Sequence, residues 1–457
     1  MSDDRDPTRD RVEPAAEPAD AVPAAEPADQ AQPDQATAGQ AKPAEPGPAA
    51  SWAARFLYHL WSANIVTVTL LAVVLALLVG AVLLVISDAD VRATYAYFFA
   101  RPGDALSASW ERISETYSTM FKGAIVDPAA VGRALDGSGD WAVVLRPISE
   151  TLTATTPLVF TALAFSIAFR GGLFNIGGQG QAIIGAIGAA LAGFLLPLPL
   201  GLHLVAVLLL GAAAGAVWGF VPGILKATTG AHEVITTIML NSVALIFIGW
   251  VIGQSWAANP DRPDPISRPV ENTARLPRLL AWLEPGLRVH LGIVVAVLAV
   301  AAMAWLLNRS SFGFELQAVG LNPDAARTAG MSVTTTYTLV MVLSGALGGL
   351  GGASVVLATT PYALTPQLIG NAGFDGILVG LLGRAKPWGV LAAALLFGAL
   401  QAGGRRAQTG AEVSLELVYV IQALVVIFVA APALVKATFR LRARRTGQLE
   451  GVAARGW

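Results

Sequence analysis

The sequence predicts an all-α polytopic membrane protein, with about ten transmembrane helices in two pseudo-repeated halves and one short helix on the cytoplasmic side. Of its 457 residues, 54% are hydrophobic and only 13% are charged. Apolar runs of about 20 residues recur from Asn64 to Val435, and each is long enough to cross a hydrocarbon core of about 30 Å. The chain contains no Cys, which excludes disulfides, thiolate metal sites and cysteine nucleophiles.

The two ends of the chain differ in composition from its middle. Residues 1–50 contain 11 Asp and Glu against 4 Lys and Arg, are rich in Pro and Ala, and show no apolar periodicity. This composition predicts a disordered acidic cytoplasmic tail, because too little apolar surface is available for burial. Residues 51–440 form the predicted transmembrane domain, and residues 441–457 a basic cytoplasmic tail.

The predicted spans are apolar runs that polar, basic or glycine-rich stretches delimit. They cover residues 64–86, 150–169, 171–193, 202–225, 234–253, 291–307, 337–357, 373–382, 390–401 and 415–435. The run 374–382 is short enough to be re-entrant. Between the spans lie an external segment (87–149), an external loop (254–290) and a polar cytoplasmic loop (308–335).

Basic residues orient the chain, because cytoplasmic loops carry an excess of Lys and Arg. If the N-terminus is in the cytoplasm, most of the basic residues fall on the cytoplasmic side: Arg55, Arg170, Lys226, Arg309, Arg327, Arg384, Lys386, Lys436 and the stretch 440–445. Both termini are then cytoplasmic. Arg405 and Arg406 fall on the outer side and leave the last three spans less well defined.

The external segment contains a stretch with helical spacing. Its predicted apolar face comprises Trp110, Ile113, Tyr117 and Met120, and its polar face comprises Glu111, Arg112, Glu115 and Ser118. The pattern predicts an amphipathic helix that lies on the outer membrane surface or docks on the bundle.

Two glycine-rich segments occupy comparable positions in the two halves. Residues 171–193 have Gly at almost every turn and three amides, Asn175, Gln179 and Gln181; residues 372–383 read AGFDGILVGLLG. Glycine weakens helices but lets backbones approach closely, so the first segment is expected to be tightly packed or partly broken. Paired interrupted helices indicate a transport path between two halves, although small-residue packing alone remains an alternative.

Ionisable residues within apolar spans are costly and therefore point to function. Asp375 is the clearest example, followed by Glu233. Glu233 also stands at a helix start, where a carboxylate is stabilised electrostatically without any functional role. Asn241 lies eight residues further, on roughly the same helical face, where an interhelical hydrogen bond is the alternative role.

The polar loop contains the best-defined short element of the chain. Asn322 suits an N-cap, Pro323 the first helical position, Asp324 the positive helix start and Gly330 the C-terminal stop. A helix of about two turns is marginal alone. It therefore either binds a partner protein or serves as a capped connector at the membrane surface.

Several catalytic patterns are absent from the sequence. There is no phosphate-binding G-x-x-x-x-G-K-[ST] loop, no dinucleotide fingerprint and no Ser/His/Asp set, and the four His show no metal-ligand spacing. The sequence thus predicts no catalytic residues, metal site or cofactor. Energy for transport must come from an ion gradient or from a partner.

The stretch DAARTAG, residues 324–330, resembles the EAA-x-x-x-G signature of ABC importer permeases, with Asp in place of Glu. GLFNIGGQGQAIIGA, GAHEVITTIMLNSVA, LQAVGLNPDAARTAGMSV and GFDGILVGLLGRAKPWGVLAAALLFGAL together resemble the branched-chain amino acid, sugar and nucleoside permease group, nearest to its nucleoside or simple-sugar type. The chain departs from many nucleoside-type members at Gln179, near which an acidic residue is expected.

The resemblance implies a cytoplasmic coupling helix that sits in a cleft of an ATP-binding subunit. The residues it implicates in coupling are Gly320, Asn322, Asp324, Ala325, Ala326, Arg327 and Gly330. The residues that we assign to the translocation path are Asn175, Gln179, Gln181, Glu233, Asn241 and Asp375.

The function implied is that of a transport subunit, not an enzyme, in a bacterial plasma membrane. Its expected partners are an ATP-binding subunit that holds ATP and magnesium, a second and unlike permease, an extracytoplasmic binding lipoprotein and the lipid bilayer, with no nucleic acid. Nucleosides are the leading substrates, ahead of simple sugars and other small polar solutes. An ion-coupled secondary transporter using Asp375 or Glu233 remains the second hypothesis.

Overall fold

The computed structural model describes residues 65–431, 434–435 and 438–439. The acidic tail 1–50, the start of the first span, Arg55, Lys436 and the basic tail 441–457 lie outside the described residues. The helices are α1 (Ile65–Ser87), α2 (Ala89–Tyr95), α3 (Pro102–Ala124), α4 (Pro128–Leu135), α5 (Trp141–Arg170), α6 (Gly178–Leu195), α7 (Leu202–Thr229), α8 (Glu233–Ile252), α9 (Gly292–Arg309), α10 (Ser311–Leu321), α11 (Pro323–Thr328), α12 (Val333–Val356), α13 (Ala372–Leu382), α14 (Pro387–Gly410) and α15 (Leu415–Ala430).

The described part of the chain is all-helical, as predicted. Eight helices are long and apolar enough to cross a membrane: α1, α5, α6, α7, α8, α9, α12 and α14. Two shorter apolar helices, α13 and α15, correspond to the remaining predicted spans. The α13 helix has 11 residues, and at about 1.5 Å per residue it extends only about 16 Å. This length is about half the thickness of a hydrocarbon core of about 30 Å.

The centre of the bundle is α12, which packs against α5, α6 and α7. Glycines allow this close packing, because α12 places Gly345 and Gly349 directly against the backbone of Gly215 on α7. Small residues let membrane helices approach within backbone contact, where dispersion and helix–helix hydrogen bonds replace the missing hydrophobic drive. The glycine-rich composition of these helices therefore serves packing throughout the core.

The largest errors in the predicted span boundaries are at the start of α5 and the end of α14. The α5 helix begins at Trp141 instead of residue 150, because the Asp140 side chain accepts a hydrogen bond from the Ala142 N–H and caps the helix there. Pro147 lies inside this helix, where packed neighbours tolerate it. The α14 helix continues to Gly410, well beyond residue 401. Its last turns carry Arg405 and Arg406, which interrupt the apolar run from which the span was predicted.

The predicted apolar face of the external helix is also partly wrong. Met120 is buried, but Trp110 is 72% exposed. The buried stripe of α3 instead includes the small residues Ala105, Ser109, Thr116 and Gly123, and α3 packs against α14. A small-residue face approaches a neighbouring helix more closely than a face that carries an indole. The alternative in which this helix docks on the bundle is therefore the one observed.

Arg112 was assigned to the polar face of α3 and instead makes inward contacts. Its guanidinium pairs with Asp88 at 2.8 Å and donates to the Ala411 carbonyl at 2.7 Å. The ion pair neutralises the charge, so an arginine is tolerated between packed helices.

The external loop pairs with the non-helical segment 357–371 that precedes α13. Backbone hydrogen bonds join Ser267 to Leu364, Val270 to Tyr362 and Leu276 to Leu357. Arg278 also donates to the Tyr362 hydroxyl at 2.6 Å. The loop thus fixes the chain that leads into the short α13 helix.

Candidate functional site

The predicted short helix of the polar loop is present as α11. The Asn322 side chain accepts hydrogen bonds from the backbone N–H groups of Asp324 and Ala325, at 3.1 and 3.0 Å. After α11, Gly330 has a φ of +85°, a conformation that suits glycine at a helix end. The capping pattern read from the sequence is therefore confirmed in its local structure.

The surface of α11 divides into a packed face and an exposed face. Ala326 is buried against Val319 of α10 and Val333 of α12. Asp324, Ala325 and Arg327 are exposed, and Arg327 pairs with Asp324 at 2.9 Å. A short exposed helix on a packed base can bind a partner without rearranging the bundle.

The polar loop contains a second helix, α10, which the sequence interpretation missed. The Ser310 hydroxyl caps this helix by accepting from the Gly313 N–H at 2.9 Å. Near the end of α10, Gly320 lies against the turn that follows α5. If Gly172 in that turn carried a Cβ, this atom would be 3.0 Å from the Gly320 Cα. Gly172 itself has a φ of +76°. Arg170 closes this junction, donating to the Gln317 side chain at 3.0 Å and the Ala385 carbonyl at 2.7 Å.

The glycine-rich segment 171–193 is a partly broken helix, which was one of the two predicted alternatives. Residues 171–177 are non-helical, and α6 begins at Gly178. The buried Asn175 stabilises the break: its Nδ2 donates to Ser344 at 2.7 Å and Gln181 at 3.1 Å, and its Oδ1 accepts from the Gly177 N–H at 2.7 Å. These bonds satisfy the backbone and amide groups that an interrupted helix exposes.

Asn241 and Glu233 support the same break from α8. Asn241 accepts from the Gly180 N–H at 2.8 Å and donates to the Ile176 carbonyl at 3.0 Å. Glu233 pairs with Lys226 at 2.9 Å and accepts from the Phe174 N–H at 3.4 Å. Both side chains therefore have interhelical partners.

The two glycine-rich segments meet at Gln179. Its Nε2 donates to the Gly370 carbonyl at 2.6 Å, and its Oε1 accepts from the Gly373 N–H at 2.9 Å. Gln179 at the start of α6 thus binds the chain at the start of α13. The N-terminal ends of two interrupted helices lie side by side, an arrangement typical of transport paths.

Next to this junction is a cavity of about 320 Å³. Its walls come from α5, α12, α13, α14, α15, the segment before α13 and the end of the external loop. The polar lining residues are Thr153, Arg288, His290, Ser354, Thr359, Gln367, Asn371, Asp375, Gln401, Arg405, Tyr419 and Gln422. Of the predicted path residues, only Asp375 lines the cavity; Asn175, Gln179, Gln181, Glu233 and Asn241 lie in the network around the break.

The charges at the cavity are close to balanced. Asp375 accepts a hydrogen bond from the Gln401 Nε2 at 3.0 Å. Arg288 pairs with Glu150 at 3.0 Å, which leaves Asp375 and Arg405 as the two opposite charges on the lining without an ion pair among the described residues. This balance suits a neutral polar solute better than an ion.

His290, at the outer edge of the cavity and just before α9, has a lowered pKa of about 4. Burial is the main cause, followed by the positive charges of Arg288 and Arg278. Its Nδ1 faces the Gly292 N–H at 3.2 Å. The neutral ring therefore accepts at Nδ1 and carries its proton on Nε2.

Sequence interpretation missed the cavity residues on α14 and α15. Gln401 and Arg405 are four residues apart on α14, and Gln422 interrupts an otherwise apolar stretch of α15. That i, i+4 spacing and the lone amide were the available signals. No group of three or more His, Asp or Glu in the described residues is placed to hold a metal ion.

Comparison with known proteins relates this architecture to transport. The family described as branched-chain amino acid transport system, permease component, matches residues 148–430. The guanosine ABC transporter permease protein NupP of Bacillus subtilis is 40% identical over 283 residues, 62% of this chain and 80% of that protein.

Two further relatives show similar coverage. The nucleoside ABC transporter permease protein NupB of Lactococcus lactis is 38% identical over 62% of this chain and 79% of that protein. The glucose ABC transporter permease protein TsgB13 of Haloferax volcanii is 34% identical over 62% of this chain and 75% of that protein. No solved structure matches the chain. The chain belongs to the permease family that is described as branched-chain amino acid transport system, permease component.

Proposed function

We propose that this chain forms the translocation path for nucleosides in an ATP-binding cassette importer. The observation that carries the proposal is the Gln179 junction, which binds the start of α6 to Gly370 and Gly373 beside the cavity that Asp375 lines. The break that precedes α6 contacts Gly320 of the polar loop through Gly172. A permease needs such a connection, since energy delivered at one end must change access to a solute site.

The path of coupling runs through packed contacts. Closure of two ATP-binding domains displaces α11, which rests on α10 and α12 through Ala326. Movement of α10 presses Gly320 on Gly172, at the start of the break. Gln179, just after the break, then shifts α13 and its Asp375 against the rest of the cavity. Here Gly320, Asn322, Asp324, Ala325, Ala326, Arg327 and Gly330 act in coupling.

Nucleosides are favoured by the chemistry of the cavity. Amide groups, one carboxylate and balanced charge suit a neutral solute with many hydrogen-bonding atoms. The phenol ring of Tyr419 offers an apolar surface for a nucleobase. The similarity to NupP and NupB supports the same substrate class. The similarity to TsgB13 keeps simple sugars as a second candidate, since hydroxyl groups also match these polar side chains.

The proposed assembly contains partners that supply what this chain lacks. ATP and magnesium are held by an ATP-binding subunit that receives the exposed face of α11. A second, unlike permease completes the membrane domain, and an extracytoplasmic lipoprotein delivers the solute. The assembly lies in a bacterial plasma membrane, with both termini of this chain in the cytoplasm.

Uptake of labelled adenosine, uridine and ribose tests the proposal in cells with and without this gene. The Gly330→Val variant is measured alongside, since a β-branched residue is strained at a φ of +85°. Gly103→Val is the matched control, because Gly103 is exposed and has open space around it. We expect gene-dependent nucleoside uptake that Gly330→Val abolishes and Gly103→Val preserves.

Two other results have clear meanings. If the gene supports uptake of ribose and of neither nucleoside, the substrates are simple sugars and not nucleosides. If an uncoupler stops uptake while cellular ATP is held constant, the protein is an ion-coupled transporter and not part of an ABC importer.

A further inference from the structure

The cavity wall that α13 and α14 form contains two pairs of polar residues, each spaced by about one helical turn. Asn371 is the N-cap residue of α13, and its carbonyl accepts from the Asp375 N–H at 2.9 Å. Gln401 and Arg405 have the same spacing on α14. All four residues line the cavity. Side chains at this spacing share one face of a helix, with Cβ atoms about 6 Å apart.

A hydrogen bond fixes the two pairs relative to each other. The Gln401 Nε2 donates to the Asp375 Oδ2 at 3.0 Å, which places α14 beside the first turn of α13. The short turn 383–386 joins the two helices, so they run in opposite directions. One turn before Asp375 and one turn after Gln401 therefore lead towards the same end of the cavity. Asn371 and Arg405 lie there, one turn beyond the bonded pair.

Three of these side chains keep hydrogen-bonding groups that no described residue uses. The Asp375 Oδ1 makes no hydrogen bond within the described chain and is not buried, so it is accessible from the cavity. The Asn371 amide and the Arg405 guanidinium have no hydrogen bond or ion pair there either, and both residues are exposed. The cavity thus offers an acceptor, a cationic donor and an amide that both donates and accepts.

This set of groups matches two neighbouring hydroxyl groups. A hydroxyl both donates and accepts, whereas an ionised carboxylate only accepts and a guanidinium only donates. One hydroxyl can donate to the Asp375 Oδ1 while its neighbour accepts from Arg405, and the Asn371 amide can bind either of them. Dinucleotide-binding proteins likewise hold a ribose hydroxyl with a carboxylate. An apolar group at this place would leave both charges without a partner, which is costly away from water.

We propose that Asp375, Asn371 and Arg405 form a subsite for the 2′- and 3′-hydroxyls of the ribose of a passing nucleoside. This inference rests on the proposed function and names the end of the substrate that the permease holds. Gln401 positions the carboxylate by binding Oδ2, which leaves Oδ1 for the solute. The base then lies towards Tyr419 of α15, which lines the same cavity.

Direct binding to the permease separates this subsite from the specificity of the binding lipoprotein. The assembly of the full chain with its partner subunits is purified without the lipoprotein. Labelled adenosine and 2′,3′-dideoxyadenosine are then equilibrated with it by dialysis. The two nucleosides have the same base and differ only in the two hydroxyls. We expect the wild type to bind adenosine about tenfold more tightly, the effect of one charge-assisted hydrogen bond.

Two variants and two matched controls assign this preference to the subsite. Asp375→Asn replaces the free acceptor by an N–H donor, and should bring the two affinities within about twofold of each other. Arg405→Gln removes the charge, and should lower the preference about threefold. Arg406→Gln changes the neighbouring arginine, which does not line the cavity, and should leave the preference unchanged. Asp104→Asn removes an exposed carboxylate on α3 and should have no effect either.

Three results would overturn the inference. They are equal binding of the two nucleosides by the wild type, no binding of either, and an equal loss of affinity for both in Asp375→Asn. The last result would indicate a structural role, since a distorted cavity weakens both ligands alike.

Uptake by cells is a separate measurement and tests the proposed function. If cells take up nucleosides but the assembly does not discriminate, the proposed function stands and only the subsite fails. If the assembly discriminates but cells take up only sugars, the subsite binds sugar hydroxyls and the nucleoside substrate fails.

Discussion

Gly320 of α10 and Gly172 of the break after α5 lie in direct backbone contact. A Cβ on Gly172 would stand 3.0 Å from the Gly320 Cα, and a Cβ on Gly320 would overlap the Arg170 carbonyl oxygen. No other residue type fits at either position without displacing one segment from the other. This contact is the point where the polar loop that carries α11 meets the interrupted helix.

The first prediction concerns this contact. Gly320→Ala should separate α10 from the break and uncouple the transporter, so that ATP hydrolysis by the assembled complex continues while uptake falls at least about tenfold. Parallel assays of ATPase activity and uptake in reconstituted vesicles measure this. Gly132→Ala is the control, because Gly132 has open space around it in α4. Uptake at the wild-type rate in Gly320→Ala would contradict the proposed route.

The second prediction separates the two faces of α11. Ala325→Asp changes the exposed face only, so the Tm should stay constant while the ATP-binding subunit no longer co-purifies. Ala326→Asp places a charge in a buried position without a partner, which should lower stability by about 3 kcal/mol. Co-purification and thermal unfolding in detergent distinguish the variants.

The matched control for these variants is Ala129→Asp. Ala129 is exposed at the start of α4, where an acid is electrostatically favoured. It should affect neither stability nor co-purification. Retention of the ATP-binding subunit by Ala325→Asp would show that α11 is only a connector.

The third prediction concerns Asp375. In the proposed importer this carboxylate binds solute and takes no part in ion coupling. Asp375→Asn should therefore slow nucleoside uptake about tenfold, the loss of one charge-assisted hydrogen bond. The accumulation that remains should still resist an uncoupler at constant ATP. Loss of accumulation without loss of facilitated entry would instead identify Asp375 as an ion-coupling residue.

The fourth prediction is a pH dependence of stability from His290. Its pKa falls from 6.5 to about 4 on folding, so the unfolded chain binds more protons between these values. Stability is therefore full above about pH 6.5 and decreases as the pH falls towards 4, by about 3 kcal/mol over the whole window. His290→Asn, which keeps a side-chain acceptor near the Gly292 N–H, should remove this dependence. Thermal unfolding in detergent at pH 7.5 and pH 5 provides the measurement; an equal pH dependence in the variant would contradict it.

The sequence by itself determined the class of fold, the family and the local structure around α11. These properties depend on composition, apolar run length and capping residues, all of which act over a few neighbouring residues. The pattern from Asn322 to Gly330 specifies its helix without tertiary information, and the order of four motifs indicates the family.

Boundaries and roles depended on tertiary packing. Trp110 was expected on the buried face of α3, but the small residues beside it allow a closer approach to α14. Asn175, Gln179 and Asn241 were interpreted as path residues because they are polar and intramembrane. The structure gives each of them backbone or amide partners at the break, which the sequence does not contain.

Only the tertiary structure decided which residues share the cavity. Asp375, Gln401 and Gln422 come from three helices and meet because α13, α14 and α15 pack around one space. A sequence shows that each is polar in an apolar setting, but not which of them finds a partner. That distinction between bonded and free polar groups is visible at the break, where the amides of Asn175 and Gln179 bind distant segments. It arises from contacts between residues far apart in the chain, since hydrogen bonds in a dry interior depend on position and direction.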